Sequence, residues 1–186
     1  MSDIYKLPKM AFIACGGTIG GEWSPKHDTV IPSRHGNQRL FEYLYDSVHL
    51  HRKITTVDLF NKDSRAITDT DRDKIFRKIL LLRRQGIRYF LITHGTFTMQ
   101  QSALYISKRL NEKGITDLYI TFVGAMIPNS GFAPSDAQFN IGFSMAKLTS
   151  LTSKEQAGVW ISMNGLFGRH ECIRKNVKAA KFEAIR

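Results

Sequence analysis

Tyr89-Phe90-Leu91-Ile92-Thr93-His94-Gly95-Thr96-Phe97-Thr98-Met99 is an apolar run of strand length that stops at a glycine between two polar residues. Met99, Ala103, Ile106 and Leu110 follow at helical spacing, so the pattern changes from buried strand to helix across one short turn. A strand that is apolar throughout, rather than alternating, is one covered on both faces, as in a parallel sheet. The same pattern recurs on either side. Met10 to Cys15, Ile54 to Leu59, Leu118 to Val123 and Val159 to Ser162 are further β-rich runs. Ile75, Ile79 and Leu82 share a helical face, and Phe139, Phe143 and Ala146 predict the apolar face of another helix. The βαβα order predicts a doubly wound α/β domain with a mainly parallel sheet, Rossmann-like or flavodoxin-like, whose ligand lies beyond the C-terminal ends of the strands.

The chain's 186 residues suit one such domain over residues 1–186. Apolar residues at 42% and charged residues at 23% give an ordinary globular balance. Apolar stretches fall short of the ~18–20 residues that span a bilayer, and no charged-then-apolar leader opens the chain, so a soluble, cytoplasmic protein without membrane contact is expected. Cys15 and Cys172 form no CxxC pair and no H-E-x-x-H pattern occurs, which argues against a disulfide framework or a metal site. Lys and Arg outnumber Asp and Glu by 27 to 16, a net charge of +11. The basic residues are spread out, and the densest run, Arg174 to Lys181, has no interleaved aromatic for base stacking, so no specific nucleic-acid partner is expected.

Four strand ends carry polar or glycine-rich turns: Gly16-Gly17-Thr18, Asn61-Lys62-Asp63-Ser64, His94-Gly95-Thr96 and Gly124-Ala125-Met126. Such turns converge on one pocket in this fold class. The first fits neither G-x-G-x-x-G nor G-x-x-x-x-G-K-[ST], which disfavours nucleotides. Thr18 can stand exposed above the sheet or simply cap a turn. Thr96 with free N–H groups at a helix start suits an anion or a developing oxyanion, while Thr98 can cap that helix and His94 can be a buried, hydrogen-bonded ring. Asp63-Ser64 can hold an ammonium and a carboxylate, and is equally a common turn sequence. Asp69, Asp71 and Asp73 precede an apolar helical face, where acids favour the helix dipole over a metal. Ser24 to Gln38, with Pro25, Pro32 and Gly36, reads as a mobile loop beside the pocket. Ser135-Asp136 reads as a helix start.

Taken in order, these residues resemble the asparaginase/glutaminase family of threonine amidohydrolases. Gly16-Gly17-Thr18-Ile19, Asp63-Ser64, His94-Gly95-Thr96-x-Thr98-Met99 and Gly124-Ala125-Met126-Ile127-Pro128 look like successive motifs of that family. Ser135-Asp136-Ala137, Met163-Asn164-Gly165 and Arg174-Lys175-Asn176 look most like its short-chain members, which comprise only the N-terminal domain. The resemblance implies hydrolysis of the side-chain amide of L-asparagine, or a related small amide, without metal or cofactor. It implies Thr18 as nucleophile, Thr96 facing it, and Gly17, Asp63, Ser64, Gly95, Phe97 and Ala125 as substrate-binding positions. It further implies a homo-oligomer. Phe97 stands where two-domain members carry an aspartate, and Leu151 near where they carry a lysine; Lys147, one turn earlier on the same helix face, is a candidate for a displaced relay. A catalytically weak protein that binds a small amino acid or carboxylate in a regulatory role is the alternative implied by those two positions.

Overall fold

The computed structural model describes residues 8–47, 49, 54–130 and 134–185. In chain order the elements are β1 (Met10–Gly16), β2 (Gly21–Ser24), β3 (Thr29–Pro32), α1 (Gly36–Glu42), β4 (Thr55–Lys62), α2 (Asp69–Arg84) and β5 (Tyr89–Thr93). They continue with α3 (Met99–Glu112), β6 (Tyr119–Val123), α4 (Ala137–Thr149), β7 (Gly158–Met163), β8 (Leu166–Arg169), β9 (Ile173–Asn176) and β10 (Lys181–Ala184). The main sheet runs β4-β1-β5-β6-β7-β8, parallel up to β7, with β8 antiparallel at the edge. It is the mixed, mostly parallel sheet of a single α/β domain. Strand order reverses direction between β1 and β5, and such a switch leaves a crevice between the two C-terminal strand ends.

Successive strand residues point to opposite faces, so each strand feeds two cores. Ile13, Phe90, Ile92 and Phe122 pack on one face with Ile75 and Ile79 of α2 and Ala103 and Ile106 of α3. Phe12, Leu91 and Val123 pack on the other with Leu40 of α1 and Ile141 and Leu148 of α4. Helices therefore cover both faces, as the continuous apolar strands require.

The three aspartates at the start of α2 are all paired within the fold. Asp69 bonds Arg72, Asp73 bonds Arg77 and Arg109, and Asp71 bonds Lys62 at 2.8 Å and Lys74 at 3.2 Å. Asp71 also completes a reciprocal cap with Thr68. Burial alone would raise the Asp71 pKa, but hydrogen bonds from Lys62, Thr68 and Lys74 outweigh it and hold the carboxyl well below its usual range. Asp71 thus caps the helix, while Asp69 and Asp73 make ion pairs with arginines of α2 and α3.

Two expectations change. The segment Ser24 to Gln38 carries regular structure rather than a loop alone: β2 and β3 form an antiparallel hairpin with Trp23 opposite Val30, and α1 starts at Gly36. Pro32 ends a strand with a single partner, where a missing N–H is tolerated. In α4 the aromatic face is the outer one. Phe139 is 57% exposed and its ring stacks on Phe143 at 5.8 Å, whereas Ala137, Asn140, Ile141, Ser144 and Leu148 are buried. A buried asparagine and serine hide the inner face from any hydrophobic pattern. Asn140 Nδ2 donates to Gly124 O and Asp136 Oδ2, and its Oδ1 accepts from Asn164 N.

Because its side chain is mostly in water, Phe139→Ser should change stability by no more than about 0.5 kcal/mol. Ile141→Ala should cost about 2–5 kcal/mol. Urea unfolding of both variants checks the assignment of faces.

Candidate active site

The switch point between β1 and β5 holds a cavity of about 250 Å³. Its floor comes from three strand-end turns: Gly17 and Thr18 after β1, Asp63, Ser64 and Arg65 after β4, and Gly95, Thr96 and Phe97 after β5. The β2–β3 hairpin, through Trp23 and residues 28–32, forms one wall, and Lys175 of β9 closes another side. These turns touch through their backbones. Gly17 has φ +81°, a left-handed value that glycine adopts freely, and a Cβ there would fall on the Gly95 backbone. A Cβ on Gly95 would in turn lie 2.5 Å from Ser64 Cβ.

Hydrogen bonds from backbone and side chains then lock the turns together. Gly17 N donates to Lys62 O at 2.9 Å. Phe97 N donates to Ser64 Oγ at 3.2 Å, and the Thr98 hydroxyl donates to Ser64 O at 2.6 Å rather than capping α3. Thr18 is half-buried, and among the described residues neither its hydroxyl nor its N–H has a hydrogen-bond partner. Thr96 is buried, and Lys175 Nζ donates to its Oγ1 at 2.7 Å. Burial first, then the nearby Arg65 charge, pushes the Lys175 pKa below the ordinary lysine value. The arrangement therefore pairs a hydroxyl with an amine that loses its proton more easily than usual, in one cavity with a second hydroxyl that is free.

Underneath lies His94, completely buried, with Nδ1 2.8 Å from Gly95 O. A carbonyl only accepts, so Nδ1 carries the proton and Nε2 is a bare acceptor, without a partner among the described residues. Burial pushes the His94 pKa down to about 4; the bond to Gly95 O opposes this and the Arg72 charge adds to it.

The sequence profile of the asparaginase N-terminal domain matches residues 9–186. The chain belongs to the asparaginase family. A glutaminase-asparaginase from Acinetobacter glutaminasificans is 27% identical over 158 residues, which cover 83% of this chain and 46% of that protein. Among solved structures, the probable cytoplasmic L-asparaginase of Campylobacter jejuni has a TM-score of 0.68 at 22% identity. The thermostable L-asparaginase of Thermococcus kodakarensis has 0.66 at 18%. Both alignments cover 95% of this chain and 51% of the other, so the chain spans about half the length of the relatives it matches. No helix among the described residues is long and apolar enough to cross a membrane.

Within this family frame, Thr18, Thr96, Gly17, Asp63, Ser64, Gly95 and Phe97 all line the one cavity. Ala125 is buried beside it in the core under α4 and does not line it. Asp136 is engaged away from the cavity: its carboxylate accepts from Met126 N, Ile127 N, Asn140 and Asn164, clamping the turn after β6. Lys147 does not line the cavity. It lies on the outer face of α4 with Nζ 5.7 Å from the Phe143 ring centroid, because that face is the solvent face. Leu151 is a core residue whose carbonyl accepts from the Tyr89 hydroxyl.

The amine on Thr96 comes instead from Lys175, which spacing along the helices could not reveal. A signal existed in the strand pattern: Ile173 and Lys175 are two apart, so they share a face of β9, and Ile173 is buried. Arg65 was also missed, hidden behind Asp63-Ser64.

His94 makes stability depend on pH. The unfolded chain binds a proton near pH 6.5 that the folded chain refuses until about pH 4. Stability is thus whole above pH 6.5 and falls through that window by up to about 1.4 kcal/mol per pH unit from this residue. Denaturant midpoints between pH 7 and 4.5 should show the loss, and His94→Gln should flatten it.

Proposed function

We propose that the protein is an amidohydrolase that converts the side-chain amide of L-asparagine, or a related small amide, to the acid and ammonia through a threonine nucleophile. The observation that carries this reading is the 2.7 Å Lys175–Thr96 contact in the cavity that also holds the free Thr18 hydroxyl. Thr18 Oγ attacks the amide carbon, and its proton passes to the leaving nitrogen. The C–N bond breaks and ammonia departs, leaving an acyl ester on Thr18. Water, deprotonated through the Thr96–Lys175 pair, hydrolyses that ester and regenerates the hydroxyl. The N–H groups of Thr18 and Thr96, unpaired among the described residues, are the donors available to the tetrahedral oxyanion. Support comes from family membership and from the L-asparaginase neighbours in fold.

Self-association is part of the same reading. Phe139 and Ile127 expose apolar surface outside the cavity, and a symmetric oligomer would cover it. Light scattering reads the assembly size, and a monomer at every concentration removes that part.

Thr18→Ala should lower amide turnover by at least about a hundredfold. Mass spectrometry of the quenched parent should find the acyl group on the Thr18 peptide; an adduct on Thr96 would reverse the two roles. Activity should climb with pH to an inflection below the ordinary lysine value of 10.5, since the neutral Lys175 amine is the working form. Lys175→Met should abolish that inflection.

A further inference from the structure

Beside Thr96, the cavity wall is a stack of two side chains that the amide chemistry leaves unused. Phe97 is 49% exposed, and the Arg65 guanidinium carbon lies 5.1 Å from its ring centroid. Both residues line the cavity. The guanidinium's acidic neighbour is Asp63, with Nη1 to Oδ2 at a loose 3.8 Å, so most of its five donors remain available. Across the cavity the Lys175 amine is engaged with Thr96.

Arg65 therefore brings a permanent positive charge to the cavity, Lys175 adds a second while its amine is protonated, and the acids that could receive a further cation are poorly placed. Asp63 Oδ1 already accepts the Arg65 N–H at 2.8 Å, and its other oxygen faces the Arg65 guanidinium. Asp28 is on the exposed turn of the β2–β3 hairpin, where water screens an ion pair. The face of Phe97 could attract a cation, but Arg65 occupies it. An ammonium seated here would lie against like charge. A carboxylate would meet the guanidinium fork, which matches its geometry in a bidentate pair. Methylene groups would pack on the remaining edge of the ring.

We propose that the cavity selects an ω-amide whose far end is a carboxylate with no ammonium beside it, a monoamide of a short dicarboxylic acid, and that the Arg65–Phe97 stack makes the selection. This rests on the amidohydrolase reading and adds its substrate class. Arg65 holds the carboxylate, Phe97 packs against the methylenes, and the amide reaches the two threonines.

The test compares succinamic acid with L-asparagine, which differ only by the α-amino group, by ammonia release from the purified full chain. A second measurement, independent of turnover, compares calorimetric binding of succinate and L-aspartate. Succinamic acid should exceed L-asparagine by at least about tenfold in kcat/KM, and succinate should bind at least about tenfold more tightly than L-aspartate. Phe97→Asp should narrow or invert both ratios. Arg65→Gln, a change at a residue whose side chain is 71% exposed, should weaken succinate binding about tenfold while leaving the fold intact. L-Asparagine equal to or better than succinamic acid, L-aspartate binding as tightly as succinate, or no binding of either ligand would each overturn the selection. Absence of ammonia from every amide, with succinate still preferred over L-aspartate, would remove the amidohydrolase reading and keep the selection.

Discussion

Gly17 and Gly95 meet backbone to backbone at the C-terminal ends of β1 and β5, with no space for a side chain at either. That contact sets the width of the crevice where the strand order reverses. Gly95 in turn rests on Ser64, and Gly124 comes so close to His94 O that a Cβ there would lie 2.7 Å away. Four turns are therefore fixed relative to each other by excluded volume rather than by long side chains, whose rotamer freedom would blur the geometry. Glycine makes this possible and costs chain entropy on folding. The cores on both faces of the sheet supply the offsetting burial. Thr18 and Thr96 each follow one of the two contacting glycines by a single residue, so their hydroxyls inherit the separation that the glycines impose.

Electrostatics holds the same frame from below. The buried Asp71 carboxylate ties the last residue of β4, Lys62, to the first turn of α2, and the Lys62 carbonyl receives the Gly17 N–H. A helix cap, a strand end and the turn that carries Thr18 thus form one connected unit. His94 acts in the opposite sense: it is held neutral beneath Gly95, so it adds no charge of its own under the cavity above about pH 4. The field inside the cavity is then set by Arg65 and Lys175 against Asp63 and Asp28 at its rim. The overall excess of basic residues has little to do with this, since the salt bridges of α2 and α3 lie outside the cavity.

Strands were legible wherever both faces are buried, because burial on both sides forces an uninterrupted apolar run. β5 was read with its observed ends and β1 to within one residue. Helices α2 and α3 were legible for a related reason: beyond the first turn, where Asp71, Arg72 and Ser102 are buried, each buries an apolar stripe. The pattern failed at α4, where Asn140 and Ser144 are buried because their polar atoms have partners and the aromatic residues are outside. It failed again for β2–β3 and for β8 to β10, whose strands of four residues are too short to show a period. Both threonines and the Asp63-Ser64 turn could be found because strand ends of this topology must converge. Ala125 follows the same rule and yet points into the core, since convergence of backbones does not decide which way a side chain turns.

Lys175 shows what local sequence reading lacks. It is 79 residues from Thr96 along the chain, and the hydrogen bond between them depends on where the β9–β10 hairpin docks. That docking is apolar: Ile173 and Phe182 enter the core beneath α2 and α3, and Ile173 lies against Gly168 of β8. Phe182 is also the cross-strand partner of Lys175, so the residue that anchors β10 sits directly opposite the one that reaches the cavity. Strand alternation does the rest by pointing Lys175 the same way as Ile173. The amine is thus delivered to a polar site by a hydrophobic anchor two residues away. Its lowered pKa follows from the same placement, since the packing that carries it inward strips it of water and brings it near Arg65. Burial of the hairpin and readiness of the amine to give up a proton are two consequences of one packing arrangement.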